Sequence, residues 1–168
     1  MRRSTLLMLL PVITVLGGYC TVQSASADPS PRPESQRALA GVSIKPKGAA
    51  DVCLEVADAN TGNGALVTLW PCTGNDNQKW IFAQGRIQSA LPGNNCLDVR
   101  GGNAGNGAAI NSYDCNSGSP QQWRFSGDRL VSGLNGMCLS VLDNNFGGGG
   151  AVVNFHCNGG AGQAWETS

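Results

Sequence analysis

The 168-residue chain carries 11 basic and 11 acidic residues, and only 13% of it is charged, about half the usual share. Its polarity comes from Asn, Gln, Ser, Thr and Gly, which argues against a nucleic-acid partner, since phosphates need a basic patch, and suits a neutral, hydrogen-bonding one. The length allows one ordinary domain plus a terminal extension.

The chain opens like a secretory signal. Met1-Arg2-Arg3 is a short basic region, Leu6 to Leu16 is mostly apolar, and Ala25-Ser26-Ala27 is an A-x-A cleavage site before Asp28. The apolar run is too short to span a bilayer. A lipoprotein reading around Cys20 fits poorly, because the bulky Tyr19 precedes the cysteine where a small residue is wanted. Cleavage after Ala27 is expected, making residues 1–27 a signal peptide and the product extracellular. Loss of Arg2, Arg3 and Cys20 leaves nine basic against eleven acidic residues, a net charge of −2, and six of the seven cysteines. Residues 28–41 carry Pro29, Pro31 and Pro33 with no apolar period and read as a disordered leader. The folded domain is expected over residues 42–168.

That domain is three copies of one cassette. Cys53-Leu54-Glu55-Val56 leads to Cys72 and then Gln78-Lys79-Trp80. Cys96-Leu97-Asp98-Val99 leads to Cys115 and Gln121-Gln122-Trp123, and Cys138-Leu139-Ser140-Val141 to Cys157 and Gln163-Ala164-Trp165. In every copy the second Cys follows the first by 19 residues and the Gln by 25, and the copies start 43 and 42 residues apart. Such self-similarity fixes the architecture before any local reading. No unit of about 42 residues can bury a core alone, so the three (about 42–84, 85–126 and 127–168) must share one.

Six cysteines in an exported domain imply a disulfide framework with 15 possible pairings. If the units fold alike, the pairing that keeps the symmetry is Cys53–Cys72, Cys96–Cys115 and Cys138–Cys157, each loop contributing roughly 3 kcal/mol in the chain-entropy account. Zinc is the rival use of cysteine, but the chain has no C-x-x-C pair and only one histidine, His156. No metal or cofactor is expected.

In the middle unit residues 86–89, 96–99, 109–113 and 122–125 read as strands separated by turn residues. Alternation sets Leu97 and Val99 on one face and Asp98 on the other. No window sustains a helical apolar period, so helices should be few. Four short strands per unit give twelve, which a six-stranded barrel closed by three hairpins accommodates. Gly147 to Gly150 could suggest a phosphate cradle, but no Lys-Ser or Lys-Thr follows; they align with Asn63-Gly64 and Asn106-Gly107 and read as a hairpin loop.

Three Gln-x-Trp units, each with a Cys-Leu-x-Val strand and an aromatic residue two places before its second Cys, closely resemble the ricin B-type lectins, which include the family 13 carbohydrate-binding modules. The resemblance covers about residues 42–168 and implies an all-β fold, the β-trefoil, and a sugar-binding role. In such lectins an Asp in the Cys-x-Asp-Val strand accepts bonds from sugar hydroxyls, the aromatic stacks on the pyranose, a polar residue two places before it adds a bond, and an Asn just before the Gln completes the set. The Gln helps hold the Asp, and the Trp belongs to the core. Carried over, the middle unit has Asp98, Asn111, Tyr113 and Gln121, with Pro120 in place of the Asn. The first has Thr68, Trp70, Asn77 and Gln78, with Glu55 in place of the Asp. The third has Ser140, Val153, Phe155 and Gly162 and reads as structural. A charged acceptor and an aromatic face suit those roles. Trp70 and Tyr113 could instead simply cover the core edge, and Asp98 could cap a turn.

The resemblance implies a secreted, non-catalytic, monomeric lectin for glycans or polysaccharides built of neutral sugars such as galactose or xylose. A trefoil that binds protein, such as a protease inhibitor or toxin-like factor with degraded sugar sites, is the alternative. An enzyme is disfavoured, because glycoside hydrolysis needs a placed pair of carboxylates, and Glu55 and Asp98 lie in different units. His156 is a lone strand histidine without a catalytic partner.

Overall fold

The computed structural model describes residues 41–168; the expected signal peptide and the leader up to residue 40 lie outside the described residues. The first unit contributes β1 (Ile44–Pro46), β2 (Val52–Val56), β3 (Ala65–Pro71) and β4 (Trp80–Ala83). The second contributes β5 (Arg86–Ser89), β6 (Cys96–Val99), β7 (Ala108–Tyr113) and β8 (Trp123–Ser126). The third contributes β9 (Arg129–Ser132), β10 (Cys138–Val141), β11 (Val152–Phe155) and β12 (Trp165–Thr167). The helical pieces among the described residues are 3-10 turns of three residues each. The expected strands of the middle unit shift by one residue at two starts: β7 begins at Ala108 and β8 at Trp123.

The outer strands of each unit form a barrel. Strand β1 pairs with β12, β4 with β5 and β8 with β9, all antiparallel. The seams within units close through one or two backbone bonds each. Val42 and Trp80 exchange two bonds of 2.9 and 2.8 Å, the Trp123 amide donates to Gly85 O at 2.7 Å, and the Trp165 amide to Asp128 O at 2.7 Å. Closure leaves no free sheet edge in the wall.

The inner strands form three hairpins, β2–β3, β6–β7 and β10–β11, that cap one end. They interlock in a ring. A glycine at positive φ in each hairpin loop donates its amide to the third strand of a neighbour: Gly64 to Ser112 O at 2.9 Å, Gly107 to Asn154 O at 2.9 Å and Gly149 to Leu69 O at 2.7 Å. The glycine-rich run in the third unit is thus a hairpin loop, as its alignment implied. The disulfides Cys53–Cys72, Cys96–Cys115 and Cys138–Cys157 close the mouths of the hairpins, with Cα–Cα distances of 5.1, 5.0 and 5.1 Å. The fold is a β-trefoil.

The core repeats with the same symmetry. Leu54, Leu97 and Leu139, then Val56, Val99 and Val141, then Trp80, Trp123 and Trp165 are all buried and belong to one cluster. Each indole finds a partner inside it: the Nε1–H of Trp80, Trp123 and Trp165 donates to the carbonyls of Leu54, Leu97 and Leu139 at 2.9, 3.0 and 2.9 Å. A buried Trp needs such a bond, because an unmet N–H costs about 1–3 kcal/mol.

Candidate functional site

The Gln of each Gln-x-Trp is a brace. The Nε2 of Gln78, Gln121 and Gln163 donates to the carbonyls of Pro71, Asp114 and His156 at 3.0, 2.9 and 2.8 Å. Its Oε1 accepts from the amides of Thr73, Asn116 and Asn158 at 2.7, 2.8 and 2.8 Å. One amide therefore clamps the chain on both sides of the second cysteine, and only Gln has a donor and an acceptor at that reach. The 3-10 turn carrying it folds over the outer face of the central hairpin strand. This is why all four residues of β6 are buried although alternation predicts one open face.

Between that turn and the hairpin lies a cleft, present in all three units. In the middle unit it has a volume of about 450 Å³ and is lined by Asp98, Arg100, Asn111, Tyr113 and Asn116, with Gly64 reaching in from the first unit. Tyr113 is 44% exposed while Asp98 and Asn111 are buried, so an aromatic face stands beside a carboxylate at the cleft floor. With its amide oriented to match donors to acceptors, Asn111 Nδ2 donates to Asp98 Oδ1 at 3.1 Å and to Asp98 O at 3.0 Å. Asn111 thus holds the carboxylate as well as lining the cleft. Burial pushes the Asp98 carboxyl above its ordinary pKa, opposed by hydrogen bonding from Gln121. Arg100 adds donors to this cleft, where Pro120 stands in the place that Asn77 has in the first unit.

The first cleft, about 480 Å³, is lined by Glu55, Asp58, Trp70, Thr73, Asn75 and Asn77. Trp70 is 48% exposed and Glu55 is buried. Asn77 Nδ2 and Gln78 Nε2 both donate to Glu55 Oε2, at 3.2 and 3.1 Å, leaving Oε1 without a bond among the described residues. Burial raises the Glu55 pKa most; bonds from Gln78 and Asn77 oppose this, and the Asp58 charge adds to it. Trp70 is seated on the third hairpin: a Cβ built on Gly148 would lie 3.4 Å from its ring. The neighbouring contacts show why a glycine stands there. Asn63 accepts from the Asp114 amide at 2.7 Å and Asn106 from the His156 amide at 2.8 Å, whereas the equivalent partner of Gly148 is Pro71, which has no amide to donate.

The third cleft is smaller, about 190 Å³, with Ser140, Phe155, Asn144 and Asn158 in its lining. The Gly162 amide donates to Asn144 Oδ1 at 2.9 Å, and a Cβ at Gly162 would come within 2.6 Å of that oxygen. Asn144 thus fills the space an Asn at position 162 would need.

The structure therefore brings together Asp98, Asn111 and Tyr113 in one cleft and Glu55, Trp70 and Asn77 in another. Gln78 and Gln121, carried with the candidate sugar-site residues but expected to hold the acid, are fully buried and line neither cleft; Gln78 does hold Glu55. Thr68, paired with Glu55 across the hairpin, is not part of the cleft lining. Sequence reasoning missed Asp58, Arg100, Thr73, Asn75, Asn116, Asn144 and Asn158. A signal existed for most of them, since Thr73, Asn116 and Asn158 each directly follow the second cysteine, and Asp58, Gly101 and Asp143 share one offset from the first. No cluster of three or more metal-ligating side chains occurs among the described residues, and no helix there is long and apolar enough to cross a membrane.

A family model described as ricin-type beta-trefoil lectin domain matches residues 40–165. Among solved structures the chain is similar to ThreeFoil, a designed threefold-symmetric protein, at 28% identity with a TM-score of 0.68, covering 75% of this chain and 96% of that one. It is similar to the β-trefoil lectin of the Vibrio vulnificus hemolysin/cytolysin, solved with N-acetyl-D-lactosamine bound, at 25% identity and a TM-score of 0.63, covering 77% and 93%. An earthworm R-type lectin C-half in complex with GalNAc shares the fold at 18% identity and a TM-score of 0.66, covering 77% and 98%. No curated protein matches the chain.

Proposed function

The chain belongs to the ricin-type beta-trefoil lectin family, whose members point to carbohydrate binding, and on that premise we propose that it is a secreted, non-catalytic, monomeric lectin recognising neutral sugar units such as galactose or xylose on glycans or polysaccharides. The observation that carries this reading is the pairing, in the first and middle clefts, of a half-exposed aromatic ring with a buried carboxylate. A pyranose has one apolar face and a rim of hydroxyls. The face stacks on Trp70 or Tyr113, and the rim hydroxyls donate to Glu55 or Asp98, in bonds roughly twice as strong as those to a neutral acceptor. Arg100 in the middle cleft and Asn75 in the first donate to the remaining sugar oxygens, while Asn77, whose amide hydrogens go to Glu55 Oε2 and Val56 O, holds the carboxylate. The lectin of Vibrio vulnificus, crystallised with N-acetyl-D-lactosamine, is a relative whose ligand has this same face and rim.

The non-catalytic reading is supported by the family match and by the middle cleft, which holds a single carboxylate, Asp98, whereas glycoside cleavage requires two carboxyl groups across one bond, about 5–10 Å apart. A glycan array probed with the mature protein tests the proposal. Retention on galactose- or xylose-bearing glycans is expected. Binding to no glycan, with capture of a protein instead, would overturn it in favour of a protein-binding trefoil.

A further inference from the structure

The three clefts differ in charge at equivalent positions. The residue after the Cys-x-x-Val strand is Ala57, Arg100 or Leu142, and the next is Asp58, Gly101 or Asp143. In the middle cleft Asp98 and Arg100 both belong to the lining, so the formal charges cancel. In the third the strand carboxylate is replaced by Ser140, leaving Asp143 alone. In the first, Glu55 and Asp58 line one cleft whose lining, among the described residues, contains no Lys, Arg or His.

The first cleft also holds an unmet acceptor. Glu55 is more than nine-tenths buried. Both amides that hold it bond to Oε2, so Oε1 is left for whatever enters. A buried carboxylate next to a second negative charge is unfavourable unless a cation or a strong donor arrives. Trp70 adds a π face that attracts a cation as well as a sugar ring, and its seat on Gly148 fixes that face.

We infer that the first cleft, besides admitting neutral sugars, prefers a sugar carrying a free, protonated amine, that is, a de-N-acetylated hexosamine unit, while the middle cleft has no such preference. This rests on the lectin reading and gives the two clefts different selectivity within it. The ring stacks on Trp70 and its ammonium group, with three donors, sits between Glu55 Oε1 and Asp58. The middle cleft offers the same ligand no net attraction, because Arg100 offsets Asp98.

Trp70 is the one exposed tryptophan, Trp80, Trp123 and Trp165 being buried, so its indole N–H resonance reports this cleft alone. The test is an NMR titration of the secreted protein with methyl glucosaminide and with methyl N-acetylglucosaminide. It is run at about pH 6.5, where a sugar amine is largely protonated. The Trp70 signal should titrate about tenfold more tightly with the amine, the gain of one charge-assisted bond. Asp58→Asn, isosteric and tolerant of the positive φ at that position, should lose most of that preference, and Asp143→Asn should keep it. Equal affinity for the two sugars, or a preference that survives Asp58→Asn, overturns the inference. If neutral galactosides or xylosides still bind in either case, the lectin reading stands without it; if no sugar shifts any resonance, both fall.

Discussion

Glu55 and Asp98 occupy the same place in their units and are pushed in the same direction: burial raises both carboxyl pKa values above the ordinary range. Two consequences of opposite sign follow. Sugar binding needs the ionised acceptor, so affinity should fall on acidification at a higher pH than an ordinary carboxylate would give, a shift that calorimetry across a pH series reads directly. Stability runs the other way. The folded state holds these protons to higher pH than the unfolded chain, so their contribution is fully present at low pH and is lost as pH rises through the folded-state values. The tryptophans divide as cleanly. Trp123→Ala should cost about 3–5 kcal/mol, a large-to-small change in a packed core. Trp70→Ala should cost well under that in chemical denaturation and remove binding at the first cleft. The reverse order would mean that platform and core have been exchanged.

Strands and hairpins convert those residues into clefts, and the braces are as important as the contacts. Gln121→Ala strips partners from the Asp114 carbonyl and the Asn116 amide. It should lower stability by about 2–6 kcal/mol, at 1–3 for each orphaned group, while loosening the turn over the middle cleft. The interlock between hairpins offers a more selective lever. Gly148→Leu places bulk against the Trp70 ring on an exposed loop, where a substitution changes stability by only about 0.5 kcal/mol. Binding at the first cleft should weaken severalfold with the middle cleft unchanged, as seen in the Trp70 and Tyr113 resonances. The repeat spacing made the strands, the disulfides and the core tryptophans legible in the sequence, because each is enforced three times over. The depth of the clefts was not, since it depends on a short turn folding onto a strand, and neither was the role of Asn111 as a buried brace on Asp98. Nor was the part played by Gly148, which lies 78 residues from Trp70 in sequence and meets it only once the ring of hairpins closes.

Across the whole molecule, threefold symmetry sets the clefts apart on one capped barrel, each shallow and open. Hydroxyl contacts exchange water for protein partners at small net gain, so each cleft should bind with a dissociation constant of about 1 mM, or roughly −4 kcal/mol. Working affinity then comes from two clefts engaging one polymer, which can raise apparent affinity about a hundredfold without a new contact. The direct test is calorimetry of the protein and four variants, Asp98→Ala, Glu55→Ala, their double and Ser140→Ala, against a soluble galactan or xylan. Each carboxylate variant should fall to weak monovalent binding, the double should not bind, and Ser140→Ala should match the parent. A double variant that binds polysaccharide like the parent would contradict sugar recognition through the two carboxylate clefts.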